Sequence, residues 1–208
     1  MILAVDTSLG STVAVVGPDG SVRGSASSAS PRGHAEVIGE LLVRALDEAR
    51  VRAPDVTYVA AGMGPGPFTG LRIGIAAARA FALGRGVPFV PVVSHDAAAL
   101  ERIEDGGAER FAIVTDARRR ENAVSVYEGL EHAVPKRMAG PELLPQAADL
   151  GALFADAEIV HVTAIDAARV GRIAARRIAA GLAPDVREPL YLRSPDVVEG
   201  HTPKRVSA

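Results

Sequence analysis

The chain has 208 residues, 48% of them hydrophobic and 23% charged, and a chain of that size buries about 70% of its unfolded surface without covalent staples. It contains no cysteine, which excludes disulfides, thiolate catalysis and Cys-ligated zinc or iron–sulfur sites and suits a reducing cytosol. With 23 Lys and Arg against 25 Asp and Glu, the net charge of −2 argues against a protein that grips nucleic acid through a basic face of its own, so any RNA role would be shared.

Met1 to Val5 is apolar but runs straight into Asp6, with no basic region before it and no long apolar region, so it does not read as a signal peptide. The longest apolar stretch, 73–83, is interrupted by Gly74 and Arg79 and falls short of the ~20 residues that a membrane span requires. These features predict a cytoplasmic protein. Strands are expected at 2–6, 12–16 and 21–26, with turns at Leu9-Gly10 and Pro18-Asp19-Gly20; Asp-Gly between β-rich runs is a strong hairpin signal. Residues 34–49 predict an amphipathic helix, because Val37, Ile38, Leu41, Leu42, Ala45 and Leu46 recur at helical spacing while Glu36, Glu40 and Arg44 fill the other side. A strand at 56–61 and a Gly/Pro loop at 62–68 lead to a second helix at 69–83, with Thr69 as its N-cap. A strand at 88–93 and a short helix at 95–103 follow.

After a break at 104–107 the pattern partly repeats. Strands are expected at 111–115, 122–127 and near 133–138, then a helix at 146–154, a strand at 158–162 and a helix at 166–180. Each half places strands first and then alternates helix and strand, which predicts an α/β chain of two related subdomains, 1–103 and 104–208. The proline-bearing tail from Pro184 is expected to be irregular.

Asp6-Thr7-Ser8, at the exit of the first strand, offers a carboxylate and two hydroxyls that could meet a phosphate or Mg²⁺, or could only satisfy turn amides. Its partner is Asp116, which ends the first strand of the second half; two such carboxylates across a cleft would form a metal-nucleotide site. The Gly-rich run 62–74 lies between a strand and a helix but is neither a P-loop nor a dinucleotide fingerprint, and Pro65 and Pro67 remove amides that a phosphate would use. The helix after it is apolar or small on nearly every face except Arg72 and Arg79, so it must be covered all round, by this chain or by another protein. His34 lacks a partner one helical turn on, since position 38 is Ile, and a metal site there fails on spacing. Arg118, Arg119 and Arg120 form a turn that could meet RNA or an acidic partner, or stand solvated.

Taken together, the run Ile2 to Ser8, the run Gly64 to Gly74, Asp116-Ala117-Arg118 with Glu121, and Pro189-Leu190-Tyr191-Leu192-Arg193 resemble the TsaB family, also called YeaZ. The resemblance implies an actin-like, ASKHA (RNase H-like) fold of two related βββαβα subdomains. It implies a non-catalytic, dimerising subunit of the bacterial machinery that places threonylcarbamoyl on N6 of adenosine 37 in tRNA, with no cofactor of its own. Its expected partners are the catalytic paralogue TsaD, the ATPase TsaE, tRNA indirectly through the complex, and a second copy when it is alone. The family's dimer surface lies on the first two helices, which puts Val37, Ile38, Leu41, Leu42, Leu71, Arg72, Gly74, Ile75, Ala78 and Arg79 at the expected interface. Asp6, Thr7, Ser8, Asp116 and Arg118 would mark a vestigial nucleotide or partner cleft. One departure is Pro67, where the family usually has Ser. The rival reading is a small phosphotransferase or ATPase that uses Asp6 and Asp116 around a Mg-nucleotide.

Overall fold

The computed structural model describes residues 1–28 and 33–193. The opening apolar run extends as β1 (Ile2–Asp6), every residue of which is buried, as a central strand covered on both faces requires. β2 (Ser11–Val16) pairs with it antiparallel and β3 (Val22–Ser28) with β2. After α1 (His34–Ala49), β4 (Tyr58–Gly62) lies parallel on the other side of β1. α2 (Phe68–Arg85) leads to β5 (Phe89–Val92), which completes a five-stranded sheet in the order β3-β2-β1-β4-β5, and α3 (Ser94–Glu104) follows.

The second half repeats the plan. β6 (Arg110–Asp116) is central, with β7 (Glu121–Glu131) antiparallel to it, β8 (Val134–Pro145) beyond β7, and β9 (Glu158–His161) parallel to β6. The order β8-β7-β6-β9 matches β3-β2-β1-β4 position for position, which is the internal duplication of the actin-like, ASKHA fold. The helix expected at 146–154 is a single turn, α4 (Leu150–Leu153). Gln146 donates its N–H to Arg120 O, so the chain there still follows the sheet, and the Asp149 carboxylate accepts the Ala152 N–H and starts the helix late. The strand expected at 133–138 runs on to Pro145 as bulges let β8 follow the long β7.

Side-chain alternation along β1 and β2 sorts the core into two layers. Leu3, Val5, Val13 and Val15 face Ile38, Leu41, Ala45, Ala78 and Ala82 of α1 and α2. Ile2, Ala4, Ala14 and Val16 face Val170, Ile173 and Ala174 of α5 (Ala167–Ala179), the last helix of the second half, which lies on the first sheet. The same cluster takes in Ala97 to Leu100 of α3 and Phe111, Ile113 and Tyr127 of the second sheet, so one core runs through both halves. Among the described residues no helix is long and apolar enough to cross a membrane.

Candidate functional site in the cleft between the sheets

At the end of β1 the chain turns sharply, and Asp6 folds back over it. Its Oδ1 accepts the Ser8 N–H at 2.8 Å and the Ser8 hydroxyl at 2.5 Å, and its Oδ2 accepts the Ser94 hydroxyl at 2.6 Å. Asp6 is 2% exposed; burial pushes its carboxyl above the usual range, and the serine hydrogen bonds pull the other way. Thr7 donates its hydroxyl to Gly70 O at 2.7 Å. The Gly-rich run packs directly on this turn: a Cβ at Gly62 would overlap Asp6 Oδ2, and one at Gly74 would overlap the Thr7 side chain. Those glycines are there for close approach, not for phosphate. The expected metal-nucleotide pairing is therefore corrected, since Asp6 is sealed beneath the loop with both oxygens engaged, and Thr7 and Ser8 are buried beside it.

Asp116 lies elsewhere, exposed on the wall of a cleft of about 1040 Å³ between the two sheets. The start of α1, the start of α2 and the β6–β7 turn line this cleft, and Tyr191 and Arg193 close one side. Asp116 Oδ1 accepts the Arg118 N–H at 2.7 Å and the Gln146 side-chain amide at 3.3 Å. His34 is at the helix start as expected, but it is buried, with Nδ1 at 2.7 Å from Ser11 Oγ. Arg118, Arg119 and Arg120 all sit in the left-handed region, at φ 62°, 53° and 64°; each such non-glycine residue costs about 1 kcal/mol.

The spacing predicts only a helix for the first turn of α3, yet its side chains join the halves. Ser94 holds Asp6 and also accepts the Gly64 N–H at 3.0 Å. His95 reaches Ser125 Oγ through Nδ1 at 2.8 Å and Thr115 Oγ1 through Nε2 at 2.9 Å. Burial, aided by the Arg137 charge, pushes its pKa down to about 3. Asp96 accepts the Tyr127 hydroxyl at 2.8 Å and lies near Arg137 and Arg177; burial outweighs those charges and pushes it up to about 6. A polar Ser-His-Asp run opening an otherwise Ala-rich helix was the available signal.

The expected docking residues divide sharply. Ile38, Leu41 and Ala78 belong to the chain's own core, Leu71 and Ile75 pack with Met63, Val93 and Val186, and Gly74 is pressed against Thr7. These six cannot meet a partner. Val37 and Leu42 are half-buried. Arg72 and Arg79 are exposed but hold the chain's own segment 185–193: Arg72 lies 3.9 Å from the Phe68 ring centre and donates to Tyr191 Oη at 3.4 Å, and Arg79 donates to Arg187 O at 3.3 Å. That segment forms no helix or strand, but Leu190 N–H bonds Met63 O at 2.8 Å and Arg193 pairs with Glu121. The rest of the tail, from 194, is outside the described residues. What faces outward on the neighbouring helices α1 and α2 is Gly39 and Val43 on one and Ala76, Ala80 and Leu83 on the other.

Among the described residues, no three His, Asp or Glu side chains gather as a metal site. The family model described as TsaD: tRNA N6-adenosine threonylcarbamoyltransferase matches residues 24–182. An uncharacterised protein of Mycobacterium tuberculosis strain H37Rv is 35% identical over 202 residues, 94% of this chain and 92% of its own. The tRNA threonylcarbamoyladenosine biosynthesis protein TsaB of Escherichia coli K12 is 32% identical over 133 residues, 64% of this chain and 57% of TsaB. The solved structure of YeaZ from Pseudomonas aeruginosa superposes with a TM-score of 0.73 at 26% identity, over 86% of this chain and 92% of that one. Together with the duplicated sheets, the Asp6 turn under its glycine lid and the Tyr191-Leu192-Arg193 closure, these likenesses place the chain in the TsaD-type threonylcarbamoyltransferase family, as a member of its TsaB (YeaZ) branch.

Proposed function

We propose that this chain is a non-catalytic scaffold in the formation of N6-threonylcarbamoyladenosine in tRNA, acting in the cytoplasm by docking a TsaD-type catalytic paralogue through the outward faces of α1 and α2. The TsaE ATPase joins that pair, and the same face pairs two copies when the paralogue is missing. The observation that carries the reading is the face itself: Leu83 is 85% exposed and Val43 58% exposed, beside small residues that let another helix approach closely. The burial of Asp6 supports a subunit that does no chemistry of its own, because the carboxylate that a metal-nucleotide mechanism would use is already spoken for by Ser8 and Ser94.

Leu83→Glu tests this. The substitution puts a charge on the face, at its most exposed apolar side chain, while touching nothing in the chain's core, so thermal stability should stay within about 0.5 kcal/mol of wild type. Association with the paralogue, read by size-exclusion chromatography and fluorescence anisotropy, should weaken by roughly 30-fold or more, the order expected when a charge is desolvated without a partner. Undiminished association would sink the docking assignment.

A further inference from the structure

The β6–β7 turn is strained and yet tightly held. Its three arginines are consecutive left-handed residues, a conformation that glycine or asparagine would adopt more easily. The backbone around them is pinned by Arg118 N–H on Asp116 Oδ1, Glu121 N–H on Arg118 O at 3.1 Å, and Gln146 N–H on Arg120 O at 2.8 Å. Strain of this kind persists where surrounding structure over-determines it, and it concentrates in functional segments. Many other arginines serve the fold: Arg102 pairs with Glu158, Arg110 with Glu128, Arg177 with Asp185, and Arg172 and Arg176 with Glu104. The Arg118 and Arg120 side chains, by contrast, are exposed and make no hydrogen bond or ion pair among the described residues. The nearby carboxylates are committed, Asp116 to the turn's own amide and to Gln146, and Glu121 to Arg193.

We propose that this turn is a direct contact for the phosphate backbone of folded RNA. The guanidinium fork matches phosphate bidentately, and a phosphate contact needs charge at a fixed position and nothing more. A protein partner would need apolar or aromatic anchors at the centre of its contact, and the tip of this turn offers only arginine. The proposal rests on the tRNA role given above and adds that this chain touches the RNA itself.

The test uses the full chain assembled with the TsaD-type paralogue, titrated with tRNA between about 50 and about 200 mM salt. Removing two phosphate contacts with Arg118→Ala/Arg120→Ala should lower affinity about 10-fold at the low-salt end and reduce the slope of log K against log salt by about 2. Arg118→Lys/Arg120→Lys should keep the slope. Arg118→Gly/Arg120→Gly relieves the left-handed strain, so it should melt no lower than wild type while still losing RNA affinity, which separates recognition from folding. An assembled, active complex whose affinity and slope are unchanged in the Ala variant overturns this inference alone. Loss of assembly in place of RNA affinity overturns it too and assigns the turn to an acidic protein. A wild-type chain that joins no paralogue and supports no tRNA modification overturns the scaffold reading, and this inference with it.

Discussion

Gly74→Val is expected to lower the stability of this protein by about 3 kcal/mol, the upper range for overpacking a close contact. A Cβ at this position would overlap the Thr7 side chain. Thr7 cannot swing away, because it is buried and its hydroxyl is committed to Gly70 O in the same helix. Relief therefore needs α2 to shift off the end of β1, which would also disturb the Gly70 approach to Thr7 O. In a domain of this length the loss corresponds to a melting temperature lower by roughly 6–12 °C, which calorimetry and urea unfolding would register. Thr7→Ala should absorb part of the cost, so the Thr7→Ala/Gly74→Val cycle should show a coupling of about 1 kcal/mol or more. Strict additivity would mean that the contact is not what makes the position intolerant. A Gly74 variant that fails to bind a partner thus reports on folding, whereas Leu83→Glu reports on docking.

The second large effect is one of pH. His95 titrates at 6.5 when unfolded and is pushed down to about 3 in the fold. Between those values the unfolded chain takes up a proton that the native one refuses, so the stability His95 contributes above pH 6.5 is lost as pH falls toward 3; at pH 4.5 the loss is about 2.5 kcal/mol. Asp96 acts in the opposite sense. Its folded value of about 6 lies above the 3.8 of the unfolded chain, so the native state holds a proton that the unfolded chain has released, and it gains about 2 kcal/mol as pH falls through that window. Wild type should therefore show a shallow net dependence between pH 7.5 and 4.5. In His95→Gln the His95 loss disappears, and the variant should become more stable at pH 4.5 than at 7.5, whatever it has lost at neutral pH. Urea unfolding of both proteins at the two pH values measures this, and parallel pH dependences would refute it.

The strand and helix order was legible because it rests on local signals. The β1 run, the Asp19-Gly20 hairpin and the heptad-like spacing in 34–49 each specify an element within a dozen residues, and α1 spans His34–Ala49 as the spacing predicts. The failures came where distant partners decide. Thr69 looked like a cap, but Pro67 occupies that place and no side chain caps α2. The helix at 146–154 shrank because Arg120, far away in sequence, takes the Gln146 amide. In the site, an all-round apolar α2 signalled that it would be covered but not by what; among the described residues the answer is the sheet on one side and segment 185–193 on another, with Ala76, Ala80 and Leu83 left exposed.

The amino-acid order alone determined that this is an α/β chain with a duplicated plan and no cysteine chemistry, because periodicity and composition are properties of neighbouring residues. Only the tertiary structure decided what Asp6 does. The carboxylate's role depends on Ser94, 88 residues on, and on glycines whose missing side chains let a loop close over it. It likewise decided that Arg118 and Arg120 have no ion-pair partner among the described residues while many other arginines are absorbed by the fold, since whether a charge is paired depends on which carboxylate arrives beside it in three dimensions.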